Sequence, residues 1–204
     1  VNATSTLSIG TVGSGGNIGA IDLGAATLTL GGNVTGQGSV AIDVTNALVV
    51  GFDITSGNTT SITVTVDDTG APVFTLNGGS TIDSSNGQFS LQADDVSIAG
   101  TINATGQTAL IRSNSNGDAI DLGGNSTTAG SLELDDTELD NVTATTIQVG
   151  HANAGNLTIS AAIDTANTGT LSLITGGTVS QTAAVTEASL AIQAAGAVTM
   201  TQSN

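Results

Sequence analysis

Cysteine, lysine, tryptophan and tyrosine are absent from these 204 residues, and proline, arginine, histidine and methionine occur once each. Without cysteine there is no disulfide, no thiolate nucleophile and no thiolate zinc site, so the fold itself must supply the stability. Arg112 is the only fixed cation against 17 acids, which leaves a net charge of −16. Binding to nucleic acid is excluded, because neutralising phosphates takes clustered Lys and Arg. Anionic membrane surfaces are disfavoured for the same reason. No apolar run approaches the roughly 18 residues of a membrane helix, so no membrane insertion is expected. With only three Phe and no larger ring, the interior lacks the bulk that aromatics usually give a globular core.

What the chain does contain is ordered. Leu, Ile, Val and Phe total 51 residues, about a quarter of the chain and above the ~20% below which disorder is expected. They alternate with small polar residues in short segments bounded by Gly, Asn, Asp or Ser. Examples are TLSI (6–9), TLTL (27–30), SVAIDV (39–44), ALVV (47–50), SITVTV (61–66), VFTL (73–76) and QFSLQA (88–93). The series continues with VSIAG (96–100), TIQV (146–149), LTISAAI (157–163), TLSL (170–173), SLAIQA (189–194) and AVTM (197–200). Period-2 alternation between such breakers is a strand signal. Pro72 closes DTGAP (68–72), a turn context, and DDTELDNV (135–142) has room for one helical turn.

The segments also repeat. Residues 27–54, 73–102 and 170–200 share one plan: a strand, a Gly pair, an isolated Val34, Ile82 or Val179, a turn, then two further alternating segments. The spacing predicts a rung of about 20–25 residues in an all-β β-solenoid, a single continuous repeat domain over 1–204. About nine rungs stacked ~4.8 Å apart would give a short rod. Gly at corners would supply φ > 0, and Asn or Thr at turns would bond the backbone of the neighbouring rung. A β-sandwich is the alternative with similarly spaced short strands. A Lys-free, Ser/Thr/Asn/Gly-rich chain points to export. Beginning at Val1 with no leader in view, it reads as a mature form, a slice of a longer chain or a stacking subunit.

Catalytic motifs are few and weak. There is no G-x-S-x-G elbow for a serine nucleophile. His151, in VGHANAG, reads as an exposed residue of a post-strand turn. GQGSVA (36–41) fits a dinucleotide-binding pattern by letters, but the segment after it is a strand, not the required helix. Polysaccharide-active sites with paired carboxylates need basic and aromatic partners that this composition does not offer. Arg112, near Asp118 and Asp121 in sequence, is expected to form a turn salt bridge. No enzymatic activity is therefore expected. Calcium is the cofactor to consider, since Asn114, Asn116, Asp118 and Asp121 in NSNGDAID offer hard oxygen ligands. Five acids, Glu133, Asp135, Asp136, Glu138 and Asp140, crowd residues 133–140. Glu133 and Asp135 alternate with Leu132 and Leu134, as on a solvated strand face. T-x-T triplets recur too irregularly for a flat ice-binding ladder, and seven N-x-[ST] sequons are ordinary for this composition.

The acidic stretch also carries a resemblance. SLELDDTELDNVTATTIQVGHANAGNLTISAAI (131–163), with TLSLITGGTVSQ (170–181) and SLAIQAAGAVTM (189–200), resembles a module of the filamentous-haemagglutinin-like bacterial surface adhesins, many of which use two-partner secretion. The matching pattern is a strand, an acidic D-x-E-L-D turn, a T-x-x-V-G strand and G-N-L-T-I-S, and it covers about residues 119–204. The resemblance implies a right-handed parallel β-helix and an extracellular stalk or adhesive role on the bacterial surface. It implies that Leu139 is tucked inward with the acids of 135–140 in water, and it carries over no catalytic residue. The expected partners are the continuation of the same chain or end-to-end copies of it, with a cell-surface glycan or protein as possible ligand. A glycan- or calcium-binding surface module is the alternative function.

Overall fold

The computed structural model describes residues 2–9, 12–13, 20–30, 32–36, 38–56, 62–66, 73–84, 87–124 and 131–204. The expected turn at Pro72 lies outside them. The thirteen alternating segments fall on strands, and every strand pairing among the described residues is parallel. A sandwich of antiparallel strands is thereby excluded for them. The chain is all-β; the described residues form a 15-stranded and a 5-stranded parallel sheet and one helical turn at Asp136–Asp140.

In-register partners form long ladders. One runs Ile21, Val40, Ile62, Phe89, Ala109, Ile147, Leu171 and Leu190. Its steps are 19 to 27 residues, except for a step of 38 from Ala109 to Ile147. A second runs Leu7, Leu28, Leu48, Phe74 and Val96. A third runs Val12, Val34, Ile54, Ile82, Ile102 and Val142. The 5-stranded sheet stacks Leu132, Ile120, Leu157, Val179 and Val198. Apolar positions thus follow one another along the ladders, and Leu48, Phe74, Ile82, Phe89, Ile102, Ile147 and Leu171 are fully buried in one core. That core is stabilised by the burial of apolar surface, at about 25 cal/mol per Å².

The registers revise the repeat alignment. Val34 and Ile82 stand on one ladder, but Val179 stands in the 5-stranded sheet, and Leu171 follows Ile147 rather than Phe74. The unit beginning at Thr170 is therefore out of phase with those beginning at Thr27 and Val73. The cause lies in the 38-residue step. Ala119–Leu122 pairs with Leu157–Ile159 on one side and with Ser131–Leu134 on the other, so that the later strand Ser131–Leu134 ends the sheet order and lies beside Asp95–Ile98. At the start of this excursion Gly123 has φ 103°, a conformation that L side chains rarely adopt.

Side chains bond the corners from one strand level to the next. Asn33 Oδ1 accepts from Asp53 N at 3.3 Å, and Asp53 Oδ1 accepts from Thr81 N at 2.9 Å. Asn156 Oδ1 accepts from both N and Oγ1 of Thr178, each at 3.0 Å. These bonds occupy backbone donors that the ladders leave over at the turns.

Candidate functional site

Two polar regions flank the excursion. The first is the acidic helix. Asp135 is its N-cap: Asp135 Oδ1 accepts from Glu138 N at 2.8 Å, and Glu138 Oε2 accepts from Asp135 N at 3.0 Å. This reciprocal capping box fixes the turn. Glu138 Oε1 also accepts from Ile98 N at 3.0 Å, and Asn141 Nδ2 donates to Ile98 O at 2.8 Å. The acidic turn thus bonds the backbone of Asp95–Ile98 where the regular ladder is interrupted. Asp136 Oδ1 accepts from Asp164 N and Asp140 Oδ1 from Ala166 N, both at 2.7 Å.

Leu139 is buried, as the resemblance implied, but the acids are not simply in water. Glu133, read as one side of a solvated strand face, is only 7% exposed. Its strand lies between Asp95–Ile98 and Ala119–Leu122, so the side chain faces neighbours rather than solvent. Burial raises the pKa of Glu138 above its ordinary value, against the pull of the Asp135 and Ile98 N–H groups, and the charges of Asp135 and Asp95 add to the rise. Asp95 is raised likewise by burial, opposed by the Val96 backbone and reinforced by the charge of Glu133.

The second region is a cleft of about 210 Å³ beside the end of the strand Thr101–Arg112. Arg112, His151, Asn114, Asn116, Asn153 and Gln92 line it. Three segments meet there because Gln92 and Arg112 are register partners, while the neighbouring strand Val142–His151 brings in the histidine. Gln92 Nε2 donates to Asn114 Oδ1. Asp94, 6% exposed, holds the following turn: its Oδ1 accepts from Asn114 N at 2.6 Å and Ser115 N at 3.1 Å, and its Oδ2 from Ser115 Oγ at 3.2 Å.

The sequence-predicted ligands are spread over three sets of neighbours. Asn114 and Asn116 line the cleft with Arg112. Asp118 bonds to Asp94, and its pKa is pushed up to about 6 by burial, then by the charge of Asp94 and the shared hydrogen bond, against the Ser115 backbone. Asp121 is the register partner of Glu133. The expected salt bridge of Arg112 is not present: among the described residues no carboxylate pairs with it, and its buried Nε has no hydrogen-bond partner. The turn carboxylates are turned elsewhere, Asp118 to Asp94 and Asp121 alongside Glu133.

His151 is the last residue of a strand and half-buried, not an exposed turn residue. Its Nδ1 accepts from Asn153 N at 3.3 Å, which places the ring proton on Nε2, 3.2 Å from Ser113 Oγ. Ser113 Oγ in turn donates to Ser115 O at 3.3 Å and is 1% exposed. A histidine donating to a buried serine has the wrong tautomer for a general base toward that hydroxyl. Burial and the nearby Arg112 charge lower the His151 pKa, partly offset by the Ser115 backbone.

No family model matches the chain, and no curated protein or solved structure matches it either.

Proposed function

We propose that this chain is a right-handed parallel β-helix, with about one turn per 20–25 residues, that serves as a structural and adhesive rod on the bacterial cell surface. One observation carries the reading: among the described residues the strands pair only in parallel and in register, so that apolar positions such as Leu28, Leu48 and Phe74, or Ile120, Leu157 and Val179, follow one another from strand to strand over one buried core. Repeated strands that share a core with their neighbours are what a stacked rod requires. Such a rod extends by continuation of the chain or by stacking of a second copy. A rod of stacked levels presents long faces suited to reach and contact, and the proposed role is structural and adhesive. The net charge of −16 keeps neighbouring rods apart in solution. The extracellular setting and the adhesive role rest on the resemblance of residues 119–204 to filamentous-haemagglutinin-like repeats.

Electron microscopy of the native protein released from the cell surface tests this. Unbranched rods are the expected result, and compact particles would overturn it. Intact mass then separates the two sources of the next level. A mass near 19.7 kDa means stacked copies, and a far larger one means a continuous chain.

A further inference from the structure

We infer that the cleft around Arg112 is a binding site for a single carboxylate-bearing sugar, an acidic residue at a glycan end. The first ground is an unanswered cation. In a chain with 17 acids, the one guanidinium has no carboxylate partner among the described residues, and its Nε is buried without an acceptor. Arg112 lines the cleft without a carboxylate partner among the described residues, so a carboxylate supplied from outside meets an unanswered fixed charge there. The planar guanidinium fork suits a carboxylate in particular.

The second ground is the lining. Around Arg112 stand the carboxamides of Gln92, Asn114, Asn116 and Asn153 and the ring of His151. Carboxamides both donate and accept, which is what the vicinal hydroxyls of a sugar require. No Leu, Ile, Val or Phe lines the cleft, so an apolar or peptide ligand finds no complementary wall.

Size and charge narrow the ligand further. At about 210 Å³ the cleft is smaller than the ~300–1,000 Å³ of drug-sized sites and takes one ring, not an extended chain. The field of a −16 protein repels polyanions and tolerates a ligand with one negative charge. The cleft is preorganised, because Asp94 fixes the turn that bears Asn114, and Gln92 is bonded to Asn114. The same Arg112 argues against a cation occupying this cleft. This inference stands whether or not the sheets coil into a rod.

His151 is the only histidine, so its ring signal in proton NMR is an isolated reporter inside the cleft. Sodium glucuronate is titrated into the 204-residue chain at about pH 7.5, where the imidazole is neutral, with glucose, sodium acetate, sodium sulfate and calcium chloride as separate probes. The expected result is a saturable shift with glucuronate at about millimolar affinity, and little shift with the other probes. Arg112→Gln should weaken glucuronate at least about tenfold, the loss of one charge-assisted contact. Asn116→Ala, at an exposed turn position, should weaken it severalfold with the melting temperature unchanged. Equal response to acetate or sulfate would overturn the sugar assignment. A shift with calcium alone, no shift with glucuronate, or undiminished binding by both variants would overturn the site.

Discussion

At the scale of single residues, two carboxylates show how burial changes their work. Asp118 shares a hydrogen bond with Asp94 and titrates near 6 in the folded chain, against 3.8 ordinarily. A raised carboxyl pKa means that the folded state binds the proton more tightly than the unfolded chain does. Stability from this group is therefore fully present below about 3.8 and is lost as pH rises from there through about 6. Asp95 and Glu138 act in the same direction, while His151, whose pKa is lowered, opposes them as it is forced to charge. Asp118→Asn isolates the pair, since its amide permanently supplies the N–H that protonated Asp118 offers to Asp94. In thermal melts it should unfold at a higher temperature than the parent at pH 7.5, by a margin that narrows as pH falls below about 6 and closes below about 3.8. A pH-independent difference would contradict the shared proton. Glu138 is the second case. Replacing it with Ala leaves Ile98 N and Asp135 N without their acceptor, at a cost of about 1–3 kcal/mol in denaturant unfolding. Glu138→Gln keeps an acceptor oxygen and should cost less.

The elements show what the sequence could and could not tell. Strands such as Phe89–Gln92 and Thr168–Thr175 were legible because one side is core and the other is not, which writes period 2 into the chain. The three-residue strands Val34–Gly36 and Thr81–Asp83 were visible only as an isolated Val or Ile, since alternation cannot show in so short a run. Ala119–Leu122 escaped as a strand, while Ser131–Leu134 was legible as one but read as solvated, because its acid mimics a water-facing side although Glu133 is buried. The helical turn was legible from DDTELD, yet its role in bonding an interrupted sheet edge was not, because Ile98 lies 40 residues away from Glu138. The cleft was hidden for the same reason: Gln92, Arg112 and His151 come together only through register. At this scale the helix should matter through its one inward side chain. Leu139→Ala should lower unfolding free energy by about 2–5 kcal/mol, the cost of a core cavity. Gly150→Ala should be as severe in its way. It puts a side chain at φ 87°, where the Cβ would overlap the Ile174 carbonyl oxygen, at a cost of at least about 1–3 kcal/mol. A variant as stable as the parent would show that the strand shifts freely there.

At the scale of the whole molecule, the proposed rod requires that successive levels stack along a single line. Thr75 and Ser97 are register partners in one sheet, Glu133, Asp121, Thr158, Ser180 and Thr199 follow one another in the other, and the strands of Ser97 and Glu133 lie beside each other. Ser131–Leu134 stands beside Asp95–Ile98 at the end of the 5-stranded sheet, where the repeat changes phase while the buried residues remain in one core. Because the chain has no cysteine, nitroxide labels can be placed in pairs without a background. The measurement is the pulsed-EPR distance from a label at Thr75 to labels at Thr158, Ser180 and Thr199 in turn. Stacking at about 4.8 Å per level puts the three roughly 19, 24 and 29 Å away. Distances that climb in that order support the stacked rod. Distances that stay level or fall along the series would mean that the strands fold back on themselves and that no rod is formed.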